Sequence, residues 1–510
     1  MLRNSACITI FVGLMWTAMT WFASSTFAQS TPADADLREL LRKSEEQQKA
    51  LQEQVDRLQR RIDGVTAEDV QHSEPSQVAA AADSLPSDPN ANVPAANAGD
   101  ASALQASVEE QGKEDRYRDG IIIYENPANA KVPFLLKFNN NTQVRYLNTK
   151  DSEETYTDHL GVVREVHERN DITVNRSMFI FAGYMFDPKL QYSLTVWTSA
   201  GAASIVVAGN VGWRFNKGLT LTGGYTGVPG SRSLVNTFPF FQPTDRSMGD
   251  NFFRPGFTQG AWASGEPLQG LNYLVFLGNG LNTLNISAAK IDTHLLLAGS
   301  VWWEPLGAYS EPGKSRQMYD DYFASAETRV RIGTSLTRSR EDRFSATDQS
   351  SPDNTSIYNS DGVLAFSTGA FAPGVTVELA TYKMWALDGG LKKEGFSVNG
   401  QYYLRWLDDF VADGALPLSS TFDHGFELST GYFILPKKLV PYARGSKVFG
   451  EFANPYEYAG GLKWYPVQSE RWWLTGEMMR VHGAPYNGAF TPYTTGLNGW
   501  VPMIQTVLAF

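Results

Sequence analysis

From about Phe134 to its end the chain changes polarity at almost every residue, in stretches of roughly ten. Lys189, Gln191, Ser193 and Thr195 alternate with Leu190, Tyr192, Leu194 and Val196. Glu327, Arg329, Arg331, Gly333, Ser335 and Thr337 alternate with Thr328, Val330, Ile332, Thr334 and Leu336. Ser397, Asn399, Gln401, Tyr403 and Arg405 alternate with Phe396, Val398, Gly400, Tyr402, Leu404 and Trp406. Lys137, Asn139, Asn141, Gln143 and Arg145 share one face of a further segment. A period of two means strands with one apolar and one wet face. A soluble sandwich has the same period, so alternation alone does not choose between architectures.

Three features choose. The alternating stretches run about 9–11 residues, the length of a tilted strand that crosses a bilayer, where globular strands average about 5–6. Aromatic residues cluster at strand ends, as at Trp302-Trp303, Tyr402-Tyr403 with Trp406, Trp464-Tyr465 and Trp472-Trp473, and 11 of the 13 Trp lie beyond residue 134. That is the placement of interfacial belts. Short connections (Asp187-Pro188, Asn216-Lys217-Gly218, Leu435-Pro436-Lys437-Lys438) alternate with long polar ones at 148–171, 226–260 and 338–361. One tight end and one loop-rich end is the asymmetry of an outer-membrane barrel. About 380 residues at about 22–25 per strand and connection make roughly 16 strands. The expected fold is therefore all-β, a transmembrane antiparallel β-barrel of about 16 strands, wide enough to hold water rather than a side-chain core.

The N-terminal quarter differs. Arg3, the uncharged run Ile8–Phe22 and Thr26-Phe27-Ala28 have the layout of a cleavable export signal over residues 1–28. Within 29–66, Leu37, Leu41, Leu51, Val55, Leu58 and Ile62 recur at alternating steps of three and four, with Ser44 and Gln48 interrupting the seam. This predicts a short helical coiled coil that brings copies of the chain together, Val and Ile at one core position leaning towards two strands. Residues 67–131 are rich in Ala, Ser, Pro and acids and predict a flexible linker, leaving 132–510 to the barrel. The formal charge of −11 divides unevenly: 12 basic and 20 acidic residues precede residue 134, against 31 and 34 after it. The barrel is thus nearly balanced, and the acidic total argues against nucleic acid as a partner. Cys7 is the one cysteine, so no disulfide framework is expected after export.

Catalytic chemistry has no foothold. The sequence holds no H-E-x-x-H, G-x-S-x-G or phosphate-loop motif, and its six His are scattered. Neither His159 with His167, nor Asp320-Asp321, nor Asp408-Asp409 has the spacing of a metal or acid–base site. The expectation is a protein that is not an enzyme and needs no cofactor or metal. The alternation instead places Lys137, Arg145, Lys189, Arg329, Arg331 and Arg405 on wet strand faces, where they would line a lumen and concentrate small anions. The other reading, lumen charges paired with carboxylates such as Glu327 beside Arg329, stays open at this point.

Residues 168–280 carry a resemblance. They contain Asn175-Arg176 opening a strand, Asp187-Pro188-Lys189-Leu190-Gln191-Tyr192, Gly223 to Ser233 with a G-x-x-x-x-P-x-x-S-R pattern, Asp245-Arg246-Ser247 and Phe253-Arg254-Pro255-Gly256-Phe257. With the order signal, coil, linker and barrel, this resembles the phosphate-selective porin O/P family of bacterial outer membranes. The resemblance implies a trimeric, 16-stranded outer-membrane porin whose inward-folded loop narrows the pore, with an anion or phosphate preference. It places Arg232, Arg246 and Arg254 on or beside that constriction. Function is accordingly expected to be passive diffusion of small hydrophilic solutes across the outer membrane bilayer. The alternative is a surface-anchored structural or adhesive protein without channel activity.

Overall fold

The computed structural model describes Lys49 and residues 116–510, apart from 128, 200–203, 236, 282–290, 292, 311–316, 344–356 and 489. The expected signal, the coiled coil and the linker as far as residue 115 lie outside the described residues.

Strands β1 (Ile121–Glu125) and β2 (Phe134–Asn148) precede a small hairpin of β3 (Thr155–Thr157) and β4 (Val163–Glu165). Then come β5 (Asn170–Met185), β6 (Asp187–Ser199), β7 (Ser204–Asn216) and β8 (Leu219–Gly227). A short helix, α1 (Met248–Phe253), lies before β9 (Phe257–Leu268), β10 (Leu271–Gly278) and β11 (Leu296–Trp303). The series continues with β12 (Arg329–Asp342), β13 (Val377–Lys393), β14 (Phe396–Ala412) and β15 (Thr421–Tyr432). It ends with β16 (Leu439–Phe449), β17 (Tyr456–Trp464), β18 (Trp472–His482) and β19 (Gly499–Ala509).

Apart from β1 and the β3–β4 hairpin, the strands pair antiparallel with their sequence neighbours, and β19 returns to β2 from Met503↔Leu147 to Ala509↔Asn141. Sixteen strands thus form a closed ring among the described residues. Closure removes the sheet edges that would otherwise leave rows of N–H and C=O groups unpaired in lipid. β1 is an extra strand. It pairs with β2 from Ile121↔Phe138 to Glu125↔Leu135, on the same edge that β19 uses higher up. The chain end meets it there: Asn140 N–H donates to Phe510 O at 2.8 Å and Phe510 N–H to Asn140 O at 2.9 Å. Residues 121–125, N-terminal to the expected barrel boundary at 132, therefore extend the wall.

The alternation runs as the sequence dictates. On β12, Ile332 and Leu336 are 57% and 60% exposed, whereas Arg331 and Ser335 are buried. Ile172, Ile205, Val207, Leu297, Leu428, Leu462 and Ile504 are also exposed, making an apolar belt round the outside. The aromatic clusters split, because adjacent strand residues face opposite sides of the sheet. Trp303, Trp464 and Trp472 lie outward while Trp302, Tyr465 and Trp473 are buried inside. β13 and β14, at 17 residues each, exceed the expected length, and their outer ends carry Glu378, Asp408 and Asp409 beyond the apolar belt.

Connections at one end are tight, as at 217–218, 269–270 and 394–395. Glu394 and Gly395, at φ 50° and 85°, form a two-residue hairpin whose left-handed backbone matches the strand twist. The opposite end carries long segments at 149–169, 228–256, 343–376 and 483–498. One exception was not legible in the sequence: 304–328, a long segment at the tight end.

Candidate functional site

Two segments enter the barrel from opposite ends and meet. Residues 228–256 descend from the loop-rich end and lean on β13–β19. Arg232 N–H donates to Gln401 Oε1 at 2.8 Å, Gln242 Nε2 to Ser397 Oγ at 2.8 Å, and Gln505 Nε2 to Thr244 O at 2.8 Å. At α1, Met248 N–H donates to Glu457 Oε1 at 3.0 Å and the Tyr403 hydroxyl to Asp250 Oδ1 at 3.0 Å. Ser247 caps the helix by accepting from Asp250 N–H. Residues 304–310 and 317–328 rise from the tight end onto the same wall. Lys392 Nζ donates to Tyr309 O and Met318 O, and Lys463 Nζ pairs with Asp320 at 2.7 Å. The segments touch where Tyr319 N–H donates to Phe240 O at 3.1 Å and Arg232 lies over the Tyr309 and Tyr319 rings. Burial pushes the Tyr309 hydroxyl up to about 12 against the opposing pull of Arg232, so it stays protonated and donates to Asn399 Oδ1 at 2.7 Å.

Charges within this half of the lumen are buried and joined. Arg331 binds Asp388 at 2.7 Å, Arg405 binds Asp423 at 2.7 Å, and Arg444 binds Glu457 and Glu477, each at 2.7 Å. Such groups hold only as joined sets, because a buried charge without its partner costs several kcal/mol. Asp245 at the tip of the descending segment takes Arg145 at 3.3 Å and Arg176 at 3.2 Å, while Arg246 N–H donates to its other oxygen at 2.8 Å. Burial alone would raise the Asp245 carboxyl, but Arg176, Arg145 and Arg246 outweigh it and hold it below the ordinary carboxylate value.

The opposite wall is different in kind. On β6–β9 the lumen face carries the small or neutral Gln191, Ser193, Thr195, Ala208, Asn210, Gly212, Thr220, Thr222 and Ser264, one large ring in Trp262, the exposed cations Lys189 and Arg214, and the acids Asp187 and Glu266 towards the tight end. Between this wall and the descending segment lies a cavity of about 200 Å³. Thr195, Trp197, Asn210, Tyr225 and Phe257 border it on the wall side, and Leu234, Phe238, Arg246 and Arg176 on the other. Its aromatic rings support one another: Trp197 stacks on Phe490 at 5.3 Å and Tyr225 on Phe257 at 6.2 Å. Arg176 and Arg246 lie over Phe238 at 5.1 and 5.6 Å. The buried Trp197 Nε1 donor has no acceptor among the described residues. Towards the tight end a wider space of about 1280 Å³ opens, bordered by Lys217, Glu266, Asn272, Glu304 and Gln317.

The residues expected from sequence to line the lumen therefore fall into groups. Arg145, Arg331 and Arg405 point inward as the alternation requires, yet they are fully buried in ion pairs rather than bathed in water. Arg232 is buried between the two segments, donating to Gly389 O and Asn399 Oδ1, and Arg254 is buried just past α1. Arg246 borders the cavity. Arg329 lies at the tight end beside Glu327 at 3.4 Å and donates to Leu306 O. Lys137 donates to the carbonyls of Arg118 and Asp119, and Lys189 is exposed on the lumen face of β6. Sequence reasoning left out Arg214 and the cavity residues Trp197, Asn210 and Phe238. Arg214 carries a period-two signal on β7; which lumen residues remain wet is set by segments distant in sequence.

A closed antiparallel ring with an apolar exterior, outward aromatic rings near its ends and charge inside is a transmembrane β-barrel, here one with segments folded into its lumen. No family model and no curated protein matches the chain. The resemblance to the phosphate-selective porin O/P pattern thus stands on its motifs alone. Among solved structures the chain is similar to the outer-membrane expressed OmpT of Vibrio cholerae, at 10% identity and a TM-score of 0.47 over 76% of this chain and 100% of that one. It is similar also to the anion-selective porin from Comamonas acidovorans, at 11% identity and 0.44 over 74% and 99%. The outer membrane channel DcaP of Acinetobacter baumannii follows at 9% identity and 0.43 over 76% and 100%.

Proposed function

We propose that the protein is an outer-membrane porin that passes small hydrophilic solutes by diffusion and moderately favours anions. The observation that carries this reading is the division of the lumen. One wall is packed against two inserted segments, and the other, β6–β9, faces open space with small polar side chains. The water path runs off-centre along β6–β9. It narrows at Phe238 and Arg246 against Trp197 and Asn210, then widens towards the tight end. In this reading the filter is not formed by the buried clamps Arg145, Arg331 and Arg405. Anion preference comes from the exposed Lys189 and Arg214 below the narrowing, against Glu266 and Glu304, while Arg176 and Arg246 border the narrowing with their charges joined to Asp245 and Asp250. Phosphate selectivity is a narrower version of the same idea, and trimeric assembly of the barrels, as the family resemblance implies, completes it.

The test is a planar bilayer under a KCl gradient. The purified protein should give stepwise conductance and an anion-selective reversal potential; a cation-selective potential refutes the basic filter. Absence of any conductance from protein with heat-modifiable gel migration, the mark of a folded barrel, would favour the structural or adhesive alternative.

A further inference from the structure

The outer surface of the barrel is not uniform. Across β12–β19, close to the loop-rich end, strand register sets basic and aromatic residues side by side. Arg338 is opposite Lys383, Lys383 opposite Trp406, and Trp406 opposite Phe422. Two steps along β15 the row resumes: Phe426 is opposite Lys447, Lys447 opposite Tyr456, and Tyr456 opposite His482. Arg480 next to it is opposite Trp500. Arg340 lies one outward position above Arg338. These residues share the face of Ile332, Leu336, Trp385 and Leu387, which points to lipid.

The cations are held in the plane of the wall by local contacts. Arg340 donates to Thr381 Oγ1 at 3.0 Å and Asp409 O at 3.3 Å, Lys447 lies 4.7 Å above the Phe449 ring, and Arg480 donates to Asn498 Oδ1 at 2.8 Å. Lys383 pairs with Asp408 at 2.6 Å, the carboxylate on the row itself. Asp342, Glu378 and Asp409 lie further out, towards the loops.

Two comparisons within the molecule make the row specific. At their tight-turn end the same strands present Leu391, Phe396, Tyr432, Trp464 and Trp472 outward, with Lys393 as the one outward cation on the strands themselves among the described residues, Lys437, Lys438 and Arg471 lying in the connecting turns. Over β6–β11 the outward face is Val196, Ile205, Val207, Leu221, Val275 and Leu297, without a Lys or Arg among the described residues. A row of five cations at the membrane boundary is costly against hydrocarbon and favourable against phosphate.

We propose that this surface is a docking site for a lipid whose headgroup carries phosphates at two ends. One phosphate meets Arg338, Arg340 and Lys383, and the other meets Lys447, three strands further round the wall and four residues along it, about 19 Å away in all. Arg supplies planar, charge-assisted donors to phosphate oxygens, and the Trp406–Phe422 and Tyr456–His482 ring pairs take the sugar and upper acyl level. Long loops mark the outer side of such barrels, so the lipid is one of the outer leaflet.

The proposal rests on the membrane-barrel reading, and the test separates the two. Full-length protein in neutral phosphatidylcholine nanodiscs is titrated with bisphosphorylated lipid A and, separately, with the same lipid dephosphorylated; bound lipid is counted by native mass spectrometry. The wild type should retain the phosphorylated lipid. The triple variant Arg338→Gln, Arg340→Gln, Lys447→Gln should lose about a hundred-fold in half-saturation, at about five-fold per cation. Lys393→Gln, at the other end, should match the wild type. Should the triple variant fail to fold, Arg338→Gln with Lys447→Gln should lose about 25-fold. Equal retention by wild type and variant, or equal retention of both lipids, overturns the lipid site and leaves the barrel intact. Loss of heat-modifiable migration in the wild type itself would instead overturn the barrel.

Discussion

Replacing Asp245 with Asn removes one negative charge and keeps the side chain's shape. Asp245 is the common partner of Arg145 and Arg176, at 3.3 and 3.2 Å, and it fastens the descending segment to β2 and β5. All three side chains are buried, so Asp245→Asn leaves two guanidinium groups facing each other without a counter-charge. Removing one member of a buried pair costs about 3–5 kcal/mol. At about 1.4 kcal/mol per ten-fold, that is roughly a 10²–10⁴-fold rise in the fraction of molecules with the segment detached. The ring of strands does not depend on this contact, so the barrel should persist. The expected outcome is retained heat-modifiable migration, a larger and noisier single-channel conductance, and faster proteolysis within 228–256. Arg145→Met together with Asp245→Asn should recover part of the loss, because one of the stranded charges is then gone. Conductance and proteolysis equal to the wild type's would refute the argument that this carboxylate anchors the constriction. The same carboxyl fixes a pH dependence. Its folded value lies below the ordinary 3.8, so its stabilisation is fully present above that value and is lost as pH falls through the depressed one. Conductance should therefore be insensitive to this group between pH 5 and pH 8, by this reasoning, and become noisy only in stronger acid.

Reversing Lys189 and Arg214 together to Glu should move the reversal potential towards cations while leaving folding unchanged, since both are exposed on the lumen face; an unmoved potential would remove them from the ion path. Phe238→Ala, which deletes a ring between the cavity and the two arginines, should raise single-channel conductance. An Arg444→Met variant leaves Glu457 and Glu477 buried without their shared cation and should lose about 3–5 kcal/mol of stability, seen as a lower temperature for the gel-migration shift. Lys463→Met strands Asp320 and should expose 304–328 to protease added at the tight-turn side only.

How far the sequence reached depended on the range of the interaction involved. Strand identity and facing are local properties: Ile332 and Leu336 could be assigned to lipid, and Arg331 and Ser335 to the interior, from period two alone. The small wall residues Ser193 and Thr195 were equally legible, and so was the asymmetry of turn lengths. The aromatic pairs were read less well, because a doublet such as Trp472-Trp473 says where a strand ends but divides its members between lipid and lumen.

What the interior holds was beyond reach. Arg405 and Arg214 both stand on a lumen face, and no local feature distinguishes them. One is sealed against Asp423 beneath Tyr358 and Phe252, and the other stays in the open. The difference comes from the described residues of 228–256, 304–328, 357–376 and 483–498, whose contacts span up to hundreds of residues of chain. By itself the sequence determined the amphipathic, bilayer-length strands of a ring and the side that each residue takes, the facing from period two and the architecture from strand length, aromatic ends and turn asymmetry. Only the tertiary structure decided which half of that ring keeps water, because inserted loops place themselves by long-range ion pairing and packing, and neither leaves a period in the chain.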